Sequence, residues 1–126
     1  MAAKQLILCD SNVIIRLFQG HASIKKILDE IGEEQRAASV VTYSEIIYGT
    51  RKDDIPKVKT FFRSIRLIHI SEAISRTFIG ISLNYSYRHH IKIPDALIAA
   101  TAITLGPLYT ENKKDFDFIP EVKFYK

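Results

Sequence analysis

Fourteen Asp and Glu residues are present, and their neighbourhoods separate a few that could do chemistry from many that need no such role. Asp29, Glu30, Glu33 and Glu34 fall on or near the polar side of an amphipathic stretch and read as a solvated helix face. Asp53 and Asp54 stand where a helical pattern starts, and Glu72 is in the first turn of another; the helix dipole favours negative charge at both places. Asp10 differs. It directly follows the apolar run Leu6-Ile7-Leu8-Cys9, and a carboxylate at the end of a buried strand needs a partner or a metal ion, unless it only caps the next helix. Asp95 heads an apolar helix behind Pro94, a position the dipole also favours. Asp115 lies a few residues beyond Leu108-Tyr109-Thr110, a second strand-like run. Glu45 has a local explanation: Thr42-Tyr43-Ser44-Glu45 has the spacing of a capping box, with Thr42 as cap and Glu45 reaching back.

The elements that must position these residues alternate between strand and helix. Leu6–Cys9 reads as a strand, followed by a helix over Asn12–Phe18 capped by Asp10 or Ser11. Gly20 breaks the chain. Ile24, Ile27, Leu28 and Ile31 mark a second helix, Ala37–Val41 a second strand, and Thr42 to about Tyr48 a third helix. Ile55, Val58, Phe61, Phe62 and Ile65 mark a fourth helix, Leu67–Ile70 a third strand, and Ser71 to about Arg88 a fifth helix. The sixth, Asp95–Leu105, is apolar nearly all round and should be buried; Gly106-Pro107 ends it. Leu108–Thr110 is a fourth strand and Val122–Tyr125 a candidate fifth. Short apolar strands separated by helices predict an α/β three-layer sandwich, a parallel sheet of four to five strands covered by helices on both faces. In such open sheets, sites gather beyond the carboxyl ends of the strands.

Length and composition agree with that architecture. The 126 residues suit one domain spanning 1–126, and an apolar content of 47% suits a packed core. The only cysteine, Cys9, sits within the first strand and reads as a small core residue; without a second thiol the natural setting is a reducing cytoplasm. No stretch is long enough to span a membrane, and the apolar run after Met1-Ala2-Ala3-Lys4-Gln5 is too short for a signal peptide. The expected protein is soluble and cytoplasmic. A net charge of +4 is compatible with a polyanionic partner.

Four segments, in order and spanning nearly the whole chain, resemble the PIN-domain family, and within it the VapC-type toxins of toxin–antitoxin pairs. They are Leu8-Cys9-Asp10-Ser11-Asn12-Val13-Ile14, Thr42-Tyr43-Ser44-Glu45-Ile46-Ile47-Tyr48-Gly49, Pro94-Asp95-Ala96-Leu97-Ile98-Ala99-Ala100-Thr101-Ala102 and Thr110-Glu111-Asn112-Lys113-Lys114-Asp115-Phe116. The resemblance implies a metal-dependent endoribonuclease whose acidic residues are Asp10, Glu45, Asp95 and Asp115, with Asn12, Thr110 and Asn112 as polar support. Asp117 competes for the fourth role, but Asp115 precedes Phe116 as the family pattern asks. The resemblance also implies an antitoxin that blocks the site, and a homodimer.

Phosphodiester hydrolysis needs a nucleophilic water and relief of charge on a crowded anion. Mg2+ or Mn2+ supplies both, and such hard ions prefer carboxylate oxygens. No His/Cys set stands at zinc spacing. Adjacent His89 and His90 face different ways on a helix, so they read as surface or RNA-facing residues. Arg88 and Lys92 before Asp95, and Lys113 and Lys114 beside Asp115, could hold RNA phosphates on either side of the scissile one. Two other readings stay open. Asp10 could accept a phosphoryl group, although a phosphatase of the haloacid-dehalogenase kind wants a second Asp where Asn12 stands; or the domain could bind nucleic acid or protein without catalysis.

Overall fold

Four short runs pair into one all-parallel sheet in the computed structural model, which describes residues 5–126. Met1 to Lys4, which entered the reading of a leader, lie outside the described residues. The strands are β1 (Ile7–Cys9), β2 (Arg36–Ser39), β3 (Arg66–Ile68) and β4 (Leu108–Tyr109), in the order β3-β2-β1-β4. Leu8 sits between Ala37 of β2 and Leu108 of β4. The helices are α1 (Ser11–Phe18), α2 (Ala22–Ile31), α3 (Val40–Tyr48), α4 (Ile55–Arg63), α5 (Glu72–Tyr85) and α6 (Ile93–Leu105).

The two-residue alternation of each strand divides the core. Ile7, Cys9, Ala38 and Tyr109 face one layer, where they meet Val13 and Ile14 of α1, Leu28 of α2, Ile46 of α3 and Phe62 of α4. Leu8, Ala37 and Leu108 face the other, packed on Ile74 and Ile81 of α5 and on Ile98, Ala99 and Ala102 of α6. The result is the three-layer α/β sandwich expected. Helix α6 is buried on most of its circumference, and its alanines let it lie close against the sheet. Gly106 closes the passage from α6 to β4: a Cβ there would collide with the Leu6 carbonyl oxygen, so only glycine fits. Cys9 is wholly buried, and desolvation pushes its thiol up to about 12, as befits a core residue. Among the described residues no helix is long and apolar enough to cross a membrane.

Several boundaries differ from the expectation. The candidate fifth strand is reduced to a single parallel bridge, Leu108 to Phe124, because β4 offers only two residues to pair with. Glu33 and Glu34 occupy the turn after α2 rather than its polar face. Helix α5 stops at Tyr85, leaving Arg88 in a turn. Val40 and Val41, read as strand, open α3. The cap of α3 is Ser39, whose hydroxyl accepts the Val41 amide at 3.1 Å. Thr42 is therefore not a cap: it is fully buried inside the helix, with a hydroxyl that has no partner.

Candidate active site

The strand order changes direction at β1: the chain steps from β1 to β2 on one side and returns to β4 on the other. The crevice at the carboxyl ends of β1 and β4 is thus the switch point of the sheet, where open α/β folds place ligands. Asp10 leaves β1 into this crevice and Thr110 leaves β4 beside it. Asp10 is 6% exposed and caps α1. Its Oδ1 accepts the Ser11 amide at 2.8 Å, and its Oδ2 accepts the Thr110 hydroxyl at 2.9 Å. The Thr110 oxygen in turn accepts Asn12 Nδ2 at 3.2 Å and the Asn112 amide at 3.0 Å. One proton donated and two accepted use the full capacity of that hydroxyl. Asn12 completes the tie by accepting the Glu111 amide at 3.1 Å. Asn12 and Thr110, which the resemblance implies as polar support, both touch Asp10. Asn112 differs, for it reaches the network through its backbone N–H.

Glu45 approaches from α3. With the helix beginning at Val40, Glu45 lies beyond its first turn and is free of the capping box that explained it locally. Its Oε1 lies 3.4 Å from the Ser11 hydroxyl, which is also 3.5 Å from Asp10 Oδ1. Both separations are at the outer limit of hydrogen bonding, and one proton can serve only one acceptor at a time. Ser11 was read only as a possible cap; the signal it carried was a hydroxyl directly between Asp10 and Asn12.

Asp95 enters from the first turn of α6, and Asp115 from a short 3-10 turn, Lys113–Asp115, after β4. Their charges are felt across the crevice. Burial raises the Asp10 carboxyl above the ordinary range, the Ser11 amide and Thr110 hydroxyl pull it back, and Asp115 pushes it up. Burial and then the Asp10 charge raise Glu45. Asp95 is pushed up to about 6, first by burial and then by Asp115, Asp10 and Glu45, against weak relief from Lys92. Asp117 is not among the groups that shift these carboxyls. Among the described residues none of Asp10, Glu45, Asp95 and Asp115 belongs to an ion pair; Glu111 takes Arg16 at 4.0 Å nearby.

Negative charge gathered without ion-pair partners is a donor set for a hard divalent ion. Among the described residues no three His, Cys, Asp or Glu side chains converge into a ready-made metal cage. The arrangement suits an ion that keeps part of its water shell and meets some carboxylates through it, as Mg2+ does.

The basic residues are distributed unevenly. Lys92 and Lys114 line a pocket of about 190 Å³ together with Asp95 and Asp115. Lys113 and Lys114 line a wider cleft of about 910 Å³ that runs past Thr110 toward Ser23 of α2. Lys113 also donates to the backbone carbonyl of Lys126. Arg88 is exposed and lines neither.

A family model described as PIN domain matches residues 7–117. Ribonuclease VapC19 of Mycobacterium tuberculosis is 28% identical over 121 residues, covering 92% of this chain and 96% of that relative. A chain of a toxin–antitoxin complex from Klebsiella pneumoniae is 32% identical, with a TM-score of 0.78 over 92% of this chain and 94% of that one. A chain of VapBC2 from Rickettsia felis, bound to a DNA fragment from its promoter, shares the fold with a TM-score of 0.84 at 21% identity, over 95% and 97% of the two chains.

Proposed function

The chain belongs to the PIN-domain family, and from that premise we propose that it is a divalent-metal-dependent endoribonuclease, the toxin of a toxin–antitoxin pair. The reading is supported above all by one observation: Asp10, Glu45, Asp95 and Asp115 share one field of negative charge at the switch point, and among the described residues none of them is held in an ion pair. These four carboxylates would hold Mg2+ or Mn2+. When bound, such an ion lowers the pKa of the attacking water and shields charge developing on the phosphate.

The chain's own residues do the rest. Thr110 and Asn12 fix Asp10 Oδ2 in place, and the Ser11 amide fixes Oδ1, so Asp10 presents a set orientation without rearrangement. The Ser11 hydroxyl stands between Asp10 and Glu45 and can donate its one proton to either acid. With its carboxyl raised to about 6, Asp95 keeps a proton up to mildly acidic pH, so metal loading and proton release are coupled there. Lys92, Lys113 and Lys114 would hold substrate phosphates flanking the scissile one, with Arg88 at the outer edge.

Exposed apolar side chains support the partners. Ile15 and Phe18 border a groove of about 410 Å³ that also contains Glu45, so an antitoxin segment lying there would block the acidic site. Ile79 and Leu83 on α5, followed by Tyr87 at the same four-residue spacing, form an outward strip fit for a two-fold homodimer. No feature of the site favours phosphotransfer through Asp10 or binding without catalysis.

The test is digestion of total RNA with Mg2+ or with EDTA, followed by mapping of the cut ends. Cleavage should require the metal and should be lost in Asp10→Asn with RNA binding kept. Undiminished cleavage after metal removal, or an Asp10→Asn protein as active as wild type, would overturn the reading.

A further inference from the structure

We propose, resting on the ribonuclease reading, that the small pocket beside Asp95 and Asp115 receives one unpaired base of the RNA, with the open face of His89 as its stacking platform. The His89 ring lies flat on Phe118, with centroids 4.2 Å apart and planes within 2° of parallel. Tyr85 tilts against both rings, at 5.8 Å and 5.4 Å. Phe118 is half-buried and packs on the α5–α6 layer. The His89 amide donates to the Tyr85 carbonyl at 3.0 Å, which holds the residue on the last turn after α5. An exposed histidine backed by a packed ring gives up little freedom when a second ring lands on it.

The location suits a base rather than a phosphate. His89 lies six residues before Asp95, and Phe118 three residues after Asp115, so the ring pair joins the two segments that deliver those carboxylates. The pocket holds about 190 Å³, room for one flat ring system. Asp95 and Asp115 on its wall disfavour a phosphate in direct contact with them, while a neutral base can approach them and the His89 and Phe118 rings. Lys92 and Lys114 line the same pocket and can take the phosphates on either side of the seated nucleotide. His90 follows at φ +53°, a left-handed conformation uncommon outside glycine, turns the chain from α5 toward α6, and lines the same pocket. Strained residues of this kind gather where a surface is shaped for a ligand. A base that stacks here must leave its own helix, so the substrate is single-stranded at that nucleotide.

The test uses a short single-stranded RNA carrying the mapped cut site, and the same RNA with an abasic nucleotide at each position flanking the cut. In EDTA, His89→Ala should bind the intact RNA roughly 5- to 150-fold more weakly than wild type, the range that loss of one base stack gives. His89→Phe should restore binding to within about threefold, since it keeps the stack without the imidazole. At one abasic position the wild type and His89→Ala should bind equally. With Mg2+, His89→Ala should raise KM and leave kcat unchanged. Equal binding of intact RNA by wild type and His89→Ala, no rescue by phenylalanine, or a loss that persists at every abasic position would each overturn the subsite. So would a His89→Ala protein that binds RNA normally and fails only to bind antitoxin. If the wild type cuts RNA and the His89 variants behave alike, the subsite fails while the nuclease reading stands; a wild type that cuts no RNA ends both.

Discussion

Neutralising Asp95 should stabilise the metal-free protein, an unusual outcome for altering a residue of a candidate active site. Its carboxyl is raised from 3.8 to about 6, by burial first and by the charges of Asp115, Asp10 and Glu45 after it. The folded state therefore binds this proton more tightly than the unfolded chain does. Stability is unimpaired below about pH 3.8, falls as pH rises toward 6, and carries the full penalty above that. A shift of about two units corresponds to about 3 kcal/mol. Asp95 is only half-buried, so solvent screening reduces this to about 1.5 kcal/mol. Asparagine also forfeits a negative charge in the first turn of α6, worth ~0.5 kcal/mol. Asp95→Asn should then gain about 1 kcal/mol at pH 7.5, or about 3–5 °C in Tm for a chain of this length. The gain should vanish near pH 4. Thermal unfolding in EDTA at the two pH values measures it. Adding Mg2+ should raise the wild-type Tm and narrow the gap, because the ion binds the native acidic site and not the unfolded chain. An Asp95→Asn protein less stable than wild type in EDTA at pH 7.5, or equally stable at both pH values, would refute charge crowding as the organising feature of the site.

Thr110→Val removes the proton donor to Asp10 Oδ2 and the acceptor for Asn12 and the Asn112 amide; urea unfolding should show a loss of about 1–3 kcal/mol. Thr110→Ser should lose only about 1 kcal/mol of methyl packing and keep the pH dependence of cleavage, whereas the valine variant should shift it upward as Asp10 loses a bond to its charged form. Ser39→Ala should cost about 1 kcal/mol, the worth of the α3 cap, while Thr42→Val should be neutral or gain about 1 kcal/mol by replacing a buried hydroxyl that has no partner; the opposite order would restore the capping box. Leu83→Glu, on an exposed strip, should convert a dimer to monomer in sedimentation analysis without lowering Tm; an unchanged oligomer would remove α5 from the interface.

What the sequence made legible was local, and what it hid was set by pairing across the chain. Asp10 could be read because a short apolar run ends on it, and one residue of lookahead suffices for that. Its partner Thr110 is separated by a hundred positions, and only the order β3-β2-β1-β4 brings the two strand ends together. The stack of His89 on Phe118 was hidden for the same reason: neither residue carries a local sign of the other.

Glu45 and Asp115 show how tertiary placement settles what spacing leaves open. The spacing pointed to Thr42 as the cap of α3, and the structure uses Ser39. Thr42 has the better motif, but Ser39 ends a strand whose two neighbours, Ala37 and Ala38, are fully buried, and the chain must turn as soon as the sheet is paired. The helix therefore starts at Val40 in spite of two β-branched residues that favour strand. That early start leaves Glu45 free of the helix end, and a carboxylate near Asp10 is the consequence. Phe116 sets the surroundings of Asp115 apart from those of Asp117. Its side chain is completely buried and anchors the 3-10 turn in the core. The residue before this anchor adds its charge to Asp10 and Asp95. Asp117, the residue after it, is not among the principal charges acting on either. An Asp-Phe pair is a weak pattern in one dimension; with the phenylalanine locked in place it determines which of two carboxylates lies beside the other acids.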